Sequence, residues 1–314
     1  MTQFLNAVVS GVALGGLYSL IALGYVIIYR STHTLNFGQG AFLTLGAYLT
    51  YALSGPVQGL LFDSPPHLAA LPYLVALPIS TLLMAGLGWL VNKFVISGFR
   101  GRPVFAVIMV TLGVGVVISA LMSGIWGTSP TNLNSPFGDK FIRVGGVGIK
   151  HIDLFTLAVT AAIAIAFFFG FQRSKLGTAM KATAFDQEAA IAQGISPNVI
   201  FGLSWALASA LAGIAGTLLA SGAGSQVTQV SPSLGLLALF GFPAMVLGGV
   251  DSLEGAVLGG LIIGLVQQLT ATYESHIESF VGFDVNRLTP FIVMIAILLF
   301  RPTGLFGSEE VRRV

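Results

Sequence analysis

From Ala7 to Tyr29 the chain runs without a single charged side chain, and runs of this kind recur almost to its end. About 20 apolar residues in helix cross the hydrocarbon of a bilayer. The runs Ala7–Tyr29, Leu35–Leu53, Leu71–Lys93, Val104–Trp126, Ile152–Phe171, Val199–Ala220, Leu234–Gly249, Gly255–Tyr273 and Leu288–Phe300 therefore read as membrane spans. Only 8% of the 314 residues are charged, against about 25% in a soluble protein. Polar side chains are too few to cover a globule, so the lipid bilayer is the solvent. Backbone polar groups in lipid must be satisfied within each segment, which favours helices. The expected fold is an all-α polytopic transmembrane bundle of eight to nine spans, forming one transmembrane domain over 1–314. At least one span is short or broken. The seventh run, interrupted by Gly and Pro, is the one that either crosses or re-enters. The first run has no basic flank before it and reads as a span rather than a cleaved leader.

Basic residues fix the expected orientation, because cytoplasmic loops collect Lys and Arg. With the N-terminus outside, the inner loops receive Arg30, Lys93, Arg100, Arg102, Arg173, Lys175, Lys181, Arg301, Arg312 and Arg313. The outer loops receive Lys140, Arg143, Lys150 and Arg287. The C-terminus is then cytoplasmic and the number of crossings odd. Two outer loops follow. One covers Ser54–Ala70. The other covers 127–151, where two short runs flank Gly145-Gly146 and predict a β-hairpin.

The inner loop 173–198 is the longest segment rich in both charge signs. Its spacing predicts a short helix over Ala184–Gln193, with Thr183 as cap and Asp186 three residues on. Gly194 suits the left-handed residue past the helix end, and Ser196-Pro197 opens the next helix. Glu188-Ala189-Ala190 followed by Gly194 resembles the EAA loop of ABC importer permeases, although the leucine-proline that follows in that family is absent. The alternative is a solvated turn that joins two spans.

All 12 acids fall in loops or at span ends on this map. A carrier driven by protons or sodium usually holds an ionisable group near the midplane, so the driving energy is expected to enter elsewhere. The uncharged polar residues Asn36, Gln39, Thr111, Ser204 and Gln267 are candidates to line a translocation path. Ser119, Ser209 and Gln268 share that setting. Interhelical hydrogen bonding is the competing role for each. The four histidines are isolated, no cysteine exists, and no phosphate loop or nucleophile elbow is present. Metal chemistry, thiol catalysis, ATP binding by this chain and an intramembrane enzyme are therefore not expected. A net charge of +2 with dispersed basic residues gives no nucleic-acid surface.

Four segments in order resemble the H-type permease subunit of branched-chain amino-acid ABC importers. They are Gly15–Gly24 with Leu35–Gly40, then Ala182–Ile195, then Val246–Gly260, and finally Arg301–Gly307. Ala41 stands where members of the group often carry an acid. The resemblance implies a bacterial plasma-membrane importer with a second, M-type permease subunit, two cytoplasmic ATPase subunits and an external substrate-binding protein. ATP and Mg would sit on the ATPases, with no cofactor in this chain. The loop Thr183, Ala184, Asp186, Glu188, Ala189, Ala190 and Gly194 would couple to the ATPase. Urea or short amides are the alternative cargo, and a stand-alone channel is the alternative machine.

Overall fold

The computed structural model describes residues 2–55, 71–99, 101–133, 135–137, 140–144, 147–171, 174–225, 228–281 and 285–307. Most of the Ser54–Ala70 loop, the Gly145-Gly146 turn, Arg100, Arg173, Arg312 and Arg313 lie outside the described residues. So do Asp63, Asp139, Asp284, Glu309 and Glu310.

Helix α1 (Thr2–Thr32) is apolar all round. Such a helix belongs in the middle of a bundle, and 94% of its most apolar stretch is buried. Against it pack α8 (Pro197–Ala220) and α10 (Leu253–Val281), and α2 (Gln39–Ser54) packs on α8. Helices α3 (Tyr73–Phe94), α4 (Val104–Trp126), α5 (His151–Ile165) and α11 (Val285–Phe300) form the periphery. The apolar stretches of α4 and α5 are only 17% buried, so most of their surface is left unpacked within this chain. Among the described residues, six helical segments are long and apolar enough to cross a bilayer. The expected hairpin forms, with β2 (Phe141–Val144) antiparallel to β3 (Val147–Lys150).

The helices approach closely because small residues face one another. On α1 and α10, Gly11, Gly15 and Ser19 meet Gly264, Leu261 and Val257. A Cβ on Gly15 would lie 2.7 Å from Leu261 Cα, and Ser19 Oγ donates to the Val257 carbonyl at 2.7 Å. On α2 and α8, Gly46 abuts Gly213, and Gly216 abuts the Leu43 carbonyl. Between α2, α3 and α8 a hydroxyl knot of Thr50, Ser80 and Thr217 closes at 2.7 and 2.9 Å. In lipid, where apolar contact between helices has little advantage over contact with lipid, such backbone approach and buried hydroxyl pairs carry association.

The seventh run takes an unusual form. A 3₁₀ segment, Pro232–Phe240, runs into α9 (Gly241–Gly248). Its start adjoins β4 (Gln229–Val230), which pairs with β1 (Thr131–Asn132) beyond the end of α4. Its end meets the chain beyond α11, where Leu305 N–H donates to the Leu247 carbonyl at 2.8 Å and Phe306 N–H to that of Gly248 at 3.0 Å. At roughly 2.0 Å per 3₁₀ residue and 1.5 Å per α residue the segment reaches about 30 Å. That equals the thickness of the hydrocarbon. Stretching compensates for shortness. Glycine contacts seat it at both ends, Gly235 against Gly40 and Gly248 against Gly255. The two Gly-Ala-x-Leu sequences that begin at Gly40 and Gly255 thus have one packing task.

The second run departs from expectation. Residues 33–38 are not helical, and α2 begins only at Gln39. Asn36 explains the break: its Oδ1 accepts the Gly38 N–H at 3.0 Å, and a side chain that satisfies its own backbone competes with helix. Gly38 also lies so close to α4 that a Cβ there would be 2.8 Å from the Thr111 carbonyl.

Gly15→Val should therefore cost about 1–3 kcal/mol through overpacking. Gly113→Val, where a Cβ meets nothing within 4 Å, should cost little. Fluorescence size-exclusion after a heating series checks this: the Gly15 variant should lose its monodisperse peak at clearly lower temperature.

Candidate functional site

One end of the bundle gathers the C-terminal ends of α1, α3, α5 and α11 and the starts of α4, α8 and α10. It carries Arg30, Lys93, Arg102, Lys175, Lys181 and Arg301 among the described residues. Lys140, Arg143, Lys150 and Arg287 lie at the opposite end. The basic residues thus segregate as the loop charges imply.

The loop between α5 and α8 lies at the more basic end, but not as one capped helix. It forms α6 (Lys175–Phe185) and α7 (Gln187–Ala192). Thr183 is no cap. It sits inside α6, buried, with its Oγ1 donating to the Ala179 carbonyl at 2.8 Å. Ala184 belongs to α6 as well. The cap of α6 is Ser174, whose Oγ accepts the Gly177 N–H at 3.0 Å. Asp186 is the break: it ends α6 in extended backbone, and its Oδ1 accepts the Ala189 N–H at 3.0 Å to start α7. The reason is local. Lys175–Phe185 contains enough good helix formers to extend upstream of Thr183, and Asp gains more as a cap than inside a helix.

Gly194 ends α7 with φ +78. Its N–H donates to the Ile191 carbonyl at 2.9 Å, and Ile195 N–H donates to Ala190 at 3.0 Å. These two bonds make a Schellman closure, for which glycine has no steric cost. Ser196 precedes α8 without a side-chain cap bond, and Pro197 takes the first turn. On α7 only Ala190 is buried. Glu188 and Ala189 are exposed, Ile191 is 58% exposed, and Phe185 just before the break is 88% exposed.

The loop is seated on α1 as well as on the two spans it joins. His33 ends α1 with φ +51, a left-handed conformation rare for a side chain with a Cβ. Its Nε2 lies 3.4 Å from the Ala184 carbonyl. Met180 and Lys181 of α6 adjoin Ile27 and Arg30 of α1 and Leu253 of α10.

Three of the five path candidates come together. Asn36 Nδ2 donates to Gln39 Oε1 at 3.0 Å. Gln39 Nε2 donates to the Ala208 carbonyl of α8 at 3.4 Å and lies against Gly24 of α1. Thr111 Oγ1 accepts the Phe37 N–H at 3.2 Å. Gly24 is about two turns inside the end of α1, so the 33–38 segment folds back into the bundle. Ser204 lies on α8 one turn before Ala208, and its hydroxyl donates to its own helix at Ile200. Gln267 stands apart on α10, where its Oε1 accepts the Tyr18 hydroxyl at 2.7 Å. All five are buried.

One residue was not singled out by sequence reasoning. Asp153 lies at the start of α5, where a loop acid is expected, yet it is fully buried. Its Oδ1 accepts the Gly224 N–H at 2.9 Å and its Oδ2 the Ser10 hydroxyl at 3.4 Å. It ties the ends of α1, α5 and α8 that lie away from the loop. The apolar neighbours Ile152 and Leu154 were the available signal.

With this geometry in place, known proteins can be compared. Residues 7–298 match the family described as branched-chain amino acid transport system / permease component. The chain belongs to this family. It is 30% identical to the high-affinity branched-chain amino acid transport system permease protein BraD of Pseudomonas aeruginosa, over 99% of this chain and 98% of the relative. It is 26% identical to LivH of Escherichia coli, a permease protein of the same description, over the same shares of the two chains. LivM of Escherichia coli is 27% identical over 92% of this chain and 67% of that relative. The chain is thus a multi-pass membrane permease of the branched-chain amino-acid type, not an enzyme.

Gly194→Ala should strain the Schellman closure by about 1–2 kcal/mol, and Asp186→Ala should remove about 1 kcal/mol of capping. Hydrogen–deuterium exchange of a 186–195 peptide should speed up in both variants while the spans keep their protection.

Proposed function

We propose that this chain is a transmembrane subunit of an ATP-driven importer that carries branched-chain or related small amino acids delivered by an external binding protein. The observation that carries the reading is the α6–α7 loop. It is a small rigid element at the basic end of the bundle, with Phe185, Glu188 and Ile191 exposed and its base seated on α1. The positive-inside rule puts this end in the cytoplasm. The N-terminus is then outside, the C-terminus inside, and the chain crosses a bacterial inner membrane nine times, counting α2, the 3₁₀–α9 segment and α11.

In this reading two ATPase subunits hold ATP and Mg, and one of them grips α7. A second permease of the LivM kind completes the path. Closure of the ATPases moves α7, and the motion passes to α5 and α8 through the chain. It passes to α1 through the contact of Ala184 with His33. The Asn36–Gln39–Thr111 cluster lies where α1, α2, α4 and α8 meet, so a shift of α1 alters it directly. The uncharged character of the cluster suits a zwitterion that must pass without being trapped. Urea or a short amide would suit it equally, so the cargo is decided by measurement.

The test is to purify the chain with the second permease and the ATPases in nanodiscs, add the binding protein, and measure ATP hydrolysis with a panel of amino acids and urea. Stimulation by branched-chain amino acids is expected. Glu188→Lys and Gly194→Pro should leave assembly intact but abolish stimulation. Transport by the purified chain alone, without ATPases, would replace the importer by a facilitator.

A further inference from the structure

We propose that a cavity beside the coupling helix α7 binds the transported amino acid from the cytoplasmic side, and that its occupation slows the transporter. The proposal rests on the amino-acid permease reading above and adds to it a regulatory site. The cavity measures about 180 Å³ and lies between the end of α1, the end of α3 with the turn after it, the start of α4, α7 and the start of α8. Its volume is several times what one water needs.

The lining matches a zwitterion with an apolar side chain. Arg102 stands exposed at the cavity, and a guanidinium is the fork that a carboxylate fits. Asn92 also lines it, is only 3% exposed, and its Oδ1 has no hydrogen-bond donor among the described residues. A buried acceptor left unpaired costs about 1–3 kcal/mol, and turning the Asn92 amide into the cavity would bring that acceptor to a ligand ammonium. A second acceptor is Thr34. The Thr32 hydroxyl donates to the Ile28 carbonyl at 2.8 Å, so in the 2.8 Å contact between the two hydroxyls Thr34 donates to Thr32. The Thr34 oxygen keeps its lone pairs for a ligand. The remaining wall is apolar, with Phe99, Val107 and Phe201 available to a branched side chain. Among the described residues no acid lines the cavity, so a purely cationic ligand is not matched. Inorganic phosphate would use Arg102 and leave Asn92 and the apolar wall unmatched.

Gln187, the first residue of α7, closes one side. A ligand here touches the coupling helix and the ends of the spans together. It gains its contacts only in this arrangement, and a ligand stabilises the state that it binds better. Movement of α7 relative to α1, α3 and α4 breaks those contacts. Product accumulating in the cytoplasm would therefore oppose the stroke of the coupling helix.

The experiment uses the whole complex in nanodiscs, where both faces are accessible, with liganded binding protein at saturation. Free L-leucine in further excess should lower ATP hydrolysis roughly fivefold or more. L-leucinamide, which lacks the carboxylate, should not. Arg102→Gln and Asn92→Leu should each remove the inhibition while keeping the uninhibited rate and the elution volume of the complex. Inhibition that persists in both variants, or that leucinamide or phosphate reproduces, would overturn the proposal, as would a rate that L-leucine never lowers. Equilibrium dialysis of radiolabelled L-leucine against the complex without binding protein reads the site by itself. Binding lost in Arg102→Gln supports the site even if no amino acid stimulates hydrolysis, a result that would instead remove the permease reading. Absence of binding to the intact complex sinks the site alone.

Discussion

The fold depends on backbone touching backbone around α1. Lipid offers an apolar helix as much apolar contact as a neighbouring helix does, so greasy surfaces alone do not specify an arrangement. What distinguishes one packing from another is how near two helices can come and which polar atoms they pair. At Gly15 and Gly264, and again at Gly46 and Gly213, the absence of a side chain allows near contact of the main chains. Ser19, Thr50, Ser80 and Thr217 lock the positions by hydrogen bonds that have no water to compete with them. A helix held this way on several sides is the frame against which the other segments are placed.

Two connections stand out. At the basic end, α6 reaches α1 through His33 and through the contacts of Met180 and Lys181. At the other end Asp153 binds the turn at Gly224 and the hydroxyl of Ser10. The spans that flank the α6–α7 loop are thus tied at both ends, to α1 near the loop and through Asp153 away from it. The strained backbone of His33 lies where α1 meets the loop, a setting in which strain is often part of a switch.

The four segments that carry the family resemblance also touch one another in space. Leu305 and Phe306 of the last segment pair with Leu247 and Gly248 of the third. The third begins α10 against Gly15 and Ser19 of the first. The loop segment touches His33, which lies between the two parts of the first. Stretches far apart in the chain are thus joined by packing and main-chain hydrogen bonds, while α4 and α5 stay largely unpacked within this chain.

The sequence by itself determined that this is a membrane bundle, which segments are apolar enough to be buried in it, which loops share a side, and that the acidic-alanine loop ends at Gly194. These follow from composition, charge and local backbone preference, which are properties of short stretches. Only the tertiary structure decided that α1 is the centre, that residues 33–38 fold back inside instead of extending α2, that Asp186 divides the loop into two helices, and that the Gly- and Pro-rich run joins both ends as a stretched 3₁₀ segment. It also decided that Asp153 is buried although it sits where a loop acid belongs. Each of these turns on which backbone lies within a few ångström of another, far along the chain, and periodicity carries no record of that distance.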